Sequence, residues 1–181
     1  MSAAPDPGLL YTALMLRKLH ELRAFRRVLD AGAGGRYRAL LADHLPGAAW
    51  IGAADAWTPV LGELRLRRRG ESLGLTDIRI AAAARLAGES GADLALFEDV
   101  LEPLEPADAL ALAAAWLKSS SLVVVPAAAL PVAAALPGLV ARFAAGGGDV
   151  CFLSADAGRA RQVAQLQELI PAIVRRMTAA A

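Results

Sequence analysis

Apolar residues along this chain follow two rhythms. Over residues 9–25, Leu9, Ala13, Leu16, Leu19 and Leu22 recur at the spacing of one helical face, with Arg17, Lys18, Glu21 and Arg23 between them. That spacing predicts a helix covering one face of a sheet. Beyond it the apolar positions become short continuous runs at Arg27–Ala31, Ala49–Ala53, Asp77–Ala81, Asp93–Phe97 and Leu122–Val125. Continuous runs predict strands buried on both faces. Helix-compatible segments lie between them, near Tyr37–His44, Trp57–Leu66, Ala84–Gly88 and Pro106–Lys118. Strands alternating with helices predict an α/β fold with a parallel sheet and crossover helices.

The end of the chain reads differently. Asp149–Ser154 and Arg161–Leu166 are two further strand candidates, and Ala155–Arg159 between them carries the Asp and Gly of a tight turn. An antiparallel hairpin is expected there, with a flexible Ala145–Gly148 loop before it and a last helix over Glu168–Met177. No internal repeat is present. The expected organisation is a helical segment over 1–26 packed on one α/β domain over 27–181.

Composition narrows this picture. With 181 residues the chain suits one domain. It is 56% hydrophobic and 20% charged, and much of the excess is alanine. The net charge of +1 gives no general electrostatic case for nucleic acid. The acids bunch at Asp93, Glu98, Asp99, Glu102, Glu105 and Asp108. The single cysteine, Cys151, excludes an intrachain disulfide and fits a reducing, cytoplasmic setting. Residues 1–7 lack the basic and apolar regions of a secretory signal. The apolar stretch Leu122–Ala141 has the length of a membrane span, but Pro126, Pro131 and Pro137 divide it, so a buried strand, loop and helix are expected instead.

Three acidic constellations could carry chemistry. The first is Val28-Leu29-Asp30-Ala31-Gly32-Ala33-Gly34-Gly35-Arg36-Tyr37, a buried strand that ends in an acid and turns through glycines into a helix. Glycines let backbone amides approach a ligand, and the next helix offers its positive end. Asp30 there suits hydroxyl or ammonium donors rather than a diphosphate. The dinucleotide fingerprint Gly-x-Gly-x-x-Gly is incomplete, because Tyr37 holds the last position. The second is Asp55, about 20 residues past the glycine turn, where a carboxylate can accept from both ribose hydroxyls. The third is the strand Asp93–Phe97 running into Glu98, Asp99 and Glu102. In an open parallel sheet ligands bind beyond the carboxyl ends of the strands, and all three constellations are expected on that edge.

Weaker signals are set aside. His20, His44 and Cys151 show no metal-ligand spacing. Ser119–Ser121 lacks a nucleophile elbow and reads as a loop. Arg65, Arg67, Arg68 and Arg69 read as a solvated helix end.

Val28–Gly34, Ile51–Asp55 and Asp93–Glu102 together resemble the class I S-adenosylmethionine-dependent methyltransferases. The resemblance covers nearly the whole chain. Phe97–Glu102 is similar to the family's Asp-Val-Leu-Glu-His-Leu segment. It implies a Rossmann-like, doubly wound, mostly parallel seven-stranded sheet, helices on both faces, and a last inserted strand that is antiparallel. It implies S-adenosylmethionine as cofactor and a small-molecule or protein methyl acceptor. Asp30, Gly32 and Gly34 would border the methionine part of the cofactor. Asp55 would hold the ribose, and Glu98 and Asp99 would lie near the methyl-transfer edge. Asp99 or Glu102 would serve as the catalytic base. The chain departs from the family at Arg36, at Pro103 where relatives carry His, and at Ala81–Ala84 where an acid often meets adenine. Those departures motivate an alternative, a catalytically inactive relative that acts as a scaffold. Its interface, to a second copy or another protein, would be the apolar 122–144 region.

Overall fold

The computed structural model describes residues 6–30, 36–52, 91–97, 113–126, 139–143 and 150–179. Helix α1 spans Pro7–Leu22. It begins where the Asp6 carboxylate accepts the Gly8 N–H at 2.9 Å, with Pro7 in the first turn. It stops at Arg23, which turns to extended backbone. Strand β1 (Arg27–Asp30) follows, then the short helix α2 (Arg36–Leu41), a 3-10 turn over Ala42–His44, and β2 (Ala49–Gly52). Further along come β3 (Leu94–Leu96), a helical stretch over 113–117, β4 (Leu122–Pro126), β5 (Leu139–Phe143), β6 (Val150–Leu153) and helix α3 (Ala157–Ala179).

Among the described residues the strands form one mixed six-stranded sheet in the order β2-β1-β3-β4-β6-β5. The first four are parallel neighbours, and β6 runs antiparallel to both β4 and β5. The fold is therefore α/β, with its last strand inserted between two that precede it. The expected strands at 27–31, 49–53, 93–97 and 122–125 are present within a residue or two. Asp77–Ala81, Trp57–Leu66 and Ala84–Gly88 lie outside the described residues.

The hairpin is where expectation and structure part. Arg161–Leu166 is not a strand; it belongs to α3, which is 23 residues long and starts at Ala157 rather than near Glu168. The partner of β6 in the hairpin is β5, upstream of it, with Phe143 opposite Val150 and a register irregularity between Leu139 and Ala141. The Asp and Gly read as a turn mark a helix start instead. Asp156 Oδ1 accepts the Arg159 N–H at 2.8 Å, as an N-cap does. This hydrogen bond first, and the 2.9 Å ion pair with Arg23 second, hold the Asp156 carboxyl below the usual carboxylate range.

Both faces of the sheet are covered. Val28, Leu94, Leu96, Leu122, Val124 and Phe152 share one core cluster with Tyr11, Met15, Leu16 and Leu19 of α1 and Val163, Ile170 and Val174 of α3. The alternate positions Leu29, Ala95, Val123, Val125, Cys151 and Leu153 are buried as well. On that side Phe97 meets Trp116 edge to face at 5.7 Å. Burial on both sides explains the unbroken apolar runs. It also removes Leu122–Val125 from any external interface: all four are buried within β4 at the middle of the sheet. Residues 127–138 of the proposed interface lie outside the described residues. Among the described residues no helix is long and apolar enough to cross a membrane.

Tyr11 is a testable irregularity in this core. It is fully buried, with its ring stacked on Phe143 at 4.0 Å and edge-on to Phe152 at 5.8 Å. Its hydroxyl has no hydrogen-bond partner among the described residues. Burial pushes its pKa up from 10.0 to about 12. Tyr11→Phe should therefore stabilise the fold by about 1 kcal/mol at neutral pH, because a buried unpaired hydroxyl is removed with little change of shape. Between pH 10 and 12 the folded state keeps a proton that the unfolded state releases, so wild-type stability falls as pH rises. The gap between variant and wild type should widen over that window in urea melts. A destabilised Tyr11→Phe would show that the hydroxyl makes a bond worth more than its burial costs.

Candidate functional site

The two edges of the sheet differ in how their polar groups are used. At the amino edge, where β1, β3 and β4 begin, those groups bind one another. The Asp93 carboxylate accepts the backbone N–H groups of Arg26 and Arg27 at 2.9 and 3.1 Å. Ser120 Oγ donates to Ala92 O at 3.0 Å and Ser121 Oγ to Asp93 O at 2.7 Å. Ser154 Oγ, just past β6, donates to Ser121 O at 2.7 Å. The serine run expected to be a loop thus stitches strand starts together, and Asp93 is a structural acid rather than part of an acidic site.

At the carboxyl edge the described residues include one buried acid, Asp30. Asp30 ends β1, level with Gly52 at the end of β2 and with Leu96 near the end of β3. The chain leaves β1 for β2 on one side and returns to β3 on the other side of β1. A reversal of this kind opens a crevice between the carboxyl ends of the two central strands, the usual ligand position in open α/β sheets. Asp30 is 1% exposed and its Oδ2 accepts the Arg38 N–H of α2 at 2.9 Å. Arg36 opens α2, and its side chain lies outside the described residues.

Of the residues expected to form the site, Asp30 is the one described. Gly32, Gly34, Asp55, Glu98, Asp99 and Glu102 lie outside the described residues, as do Pro103 and Ala81–Ala84. What is placed is the strand ends that lead to them. Gly52 stands three residues before Asp55, and Phe97, whose N–H donates to Val124 O at 2.9 Å, stands one before Glu98.

The other candidates are structural. His20 Nδ1 accepts the Phe25 N–H at 3.1 Å, which places the ring proton on Nε2, 3.0 Å from Pro46 O. The ring thereby ties α1, the β1 entry and the turn before β2. Cys151 is buried in β6. Among the described residues no group of His, Cys, Asp and Glu could hold a metal ion.

Sequence reading missed Arg159. It is 1% exposed, its guanidinium lies 4.3 Å from the Phe25 ring centroid, and it donates to Leu19 O and Arg23 O at 2.8 Å each. It closes the carboxyl end of α1 from 140 residues away. The signal was available: Arg159, Val163, Ile170 and Val174 recur at helical spacing behind an N-capping Asp156.

Comparison with protein-family models, with curated proteins and with solved structures gives no match.

Proposed function

We propose that the chain is a small cytoplasmic methyltransferase that uses S-adenosylmethionine, built on a Rossmann-like seven-stranded sheet of the class I type. The observation that carries this reading is β6: the last strand of the sheet, inserted antiparallel between β4 and β5. The resemblance drawn from Val28–Gly34, Ile51–Asp55 and Asp93–Glu102 implies such an insertion. Asp77–Ala81 would supply the seventh strand. The strand reversal beside Asp30 is the second support, since ligands of open α/β sheets bind at such reversals.

The chemistry asked of this edge is modest. Methyl transfer is an in-line attack on a methyl group carried by a cationic sulfonium, and the protein contributes positioning and exclusion of water. Gly32 and Gly34 would let backbone come close to the methionine part, and Asp55 would accept from the ribose hydroxyls. Glu98 would add negative charge near the sulfonium. Asp99 or Glu102 would take the proton from an oxygen or nitrogen nucleophile of a small-molecule or protein acceptor.

Thermal melting separates this reading from its rivals. A ligand present at about 100 times its Kd stabilises by about 2.7 kcal/mol, which in a domain of this size is roughly 5–10 °C. S-adenosylmethionine and its demethylated product should each give such a shift, and NAD and ATP should not. A larger shift with NAD would favour a dinucleotide site, and no shift with either methyl-cycle ligand would remove the proposal.

A further inference from the structure

Asp30 is expected to help bind the cofactor, yet its geometry describes another task. We infer that Asp30 is a positioning residue that closes the glycine segment 31–35, fastening the end of β1 to the first turn of α2, rather than a residue that meets ligand charge. The inference rests on the methyltransferase reading only for the ligand used to test it.

Three observations support the clamp. The acceptor and donor are eight residues apart, so the bond from the Arg38 N–H to Asp30 Oδ2 spans the whole glycine segment. Arg38 is the third residue of α2, and the first N–H groups of a helix have no partner inside it. A carboxylate is the side chain best suited to accept there, since it also meets the positive end of the helix. Second, α2 has six residues, too few to hold together by helix propagation alone. It is fixed by its surroundings: buried Leu41 at one end and the Asp30 bond at the other. Third, the segment between them holds Gly32, Gly34 and Gly35. Glycine loses more backbone freedom on ordering than any other residue. A bond between the two flanks of that segment fixes the separation of Asp30 and Arg38, whatever the ligand state.

Two substitutions separate clamping from direct contact. Asp30→Asn keeps an acceptor oxygen for the Arg38 N–H and removes the charge; Asp30→Ala removes both. Amide hydrogen exchange is read at Arg38 without ligand, and the Kd for S-adenosylhomocysteine is measured by calorimetry. A clamp predicts that the Arg38 amide of the wild type is protected, although it lies in the first turn of a short helix. It predicts that Asp30→Ala exchanges at least about tenfold faster there and binds at least about tenfold more weakly, the loss of one hydrogen bond. Asp30→Asn should stay within about threefold of wild type in both. Should Asp30→Asn bind as poorly as Asp30→Ala while the Arg38 amide remains protected, the charge meets the ligand and the inference is overturned. Free exchange at Arg38 in the wild type overturns it without any variant. If the wild type binds no S-adenosylhomocysteine, the methyltransferase reading fails, and Arg38 exchange alone decides the clamp.

Discussion

Arg159→Ala should lower stability by about 3–5 kcal/mol, from lost hydrogen bonds to a charged donor plus a cavity. That is a large part of the total for a domain of this size, roughly 5–15 kcal/mol, and should lower Tm by on the order of 10 °C. The cause is the number of tasks gathered on one guanidinium. It satisfies Leu19 O and Arg23 O, and a positive charge at the carboxyl end of α1 is favoured by the helix dipole. It covers the face of Phe25, which is itself 1% exposed. Burial, and after it the nearby charge of Arg23, lowers its pKa from 12.5 to about 10, so it stays charged at neutral pH. Its Nε–H has no partner among the described residues, so even this site is not fully satisfied. Arg159→Met fills much of the same space without the donors and should cost about half as much as Ala, the remainder being packing. Chemical denaturation of the three proteins checks this. Equal stability of Arg159→Ala and wild type would mean that α1 and α3 hold together without the arginine.

Asp55→Ala should weaken S-adenosylmethionine binding by about 100-fold or more, the loss of two hydrogen bonds to a charged acceptor. A carboxylate can accept from both neighbouring ribose hydroxyls in one plane, a geometry no uncharged side chain reproduces as well. Asp55→Asn keeps one good acceptor and should fall between the two. Asp55→Ala is expected to act on binding and not on the fold, so the melting temperature without ligand should stay within about 2 °C of wild type. Calorimetric titration gives the binding side of the comparison. A Kd unchanged in Asp55→Ala would place the ribose elsewhere and break the link between β2 and the ligand.

How much of this was legible in the chain depended on the signal each segment carries. β1, β3 and β4 are readable because strands buried on both faces need unbroken apolar runs, and Val28-Leu29 and Leu122–Val125 supply them; β2, at the edge of the sheet with Ala49 exposed, is readable from the apolar run Ala49–Ile51 alone. β5 was not foreseen. Leu139–Phe143 follows Pro137-Gly138 in an alanine- and proline-rich stretch and carries the exposed Arg142, so its apolar run is interrupted. The end of the chain failed for a different reason. Asp and Gly serve both tight turns and helix starts, and Asp156-Ala157-Gly158 is a helix start. The spacing of Val163, Ile170 and Val174 settles the matter in favour of a helix. At the site, sequence located Asp30 at a strand end on the carboxyl edge. It did not show that the carboxylate turns to α2, because a contact eight residues away leaves no periodic trace.

The amino edge offers a contrast that sharpens the placement. Asp93, Ser120, Ser121 and Ser154 resemble polar site residues in composition, but their hydrogen bonds run to backbone groups of neighbouring strands. The carboxyl edge, by contrast, carries the strand reversal and leads into the glycine and acidic motifs. Ligand is expected to bind there, between the ends of β1 and β3. A crystal structure grown with S-adenosylhomocysteine tests it most directly. The account predicts the ligand beyond Asp30 and Phe97, its ribose on Asp55 and its amino-acid part against Gly32 and Gly34. Ligand at the amino edge beside Asp93, or crystals that stay empty at saturating ligand, would contradict it.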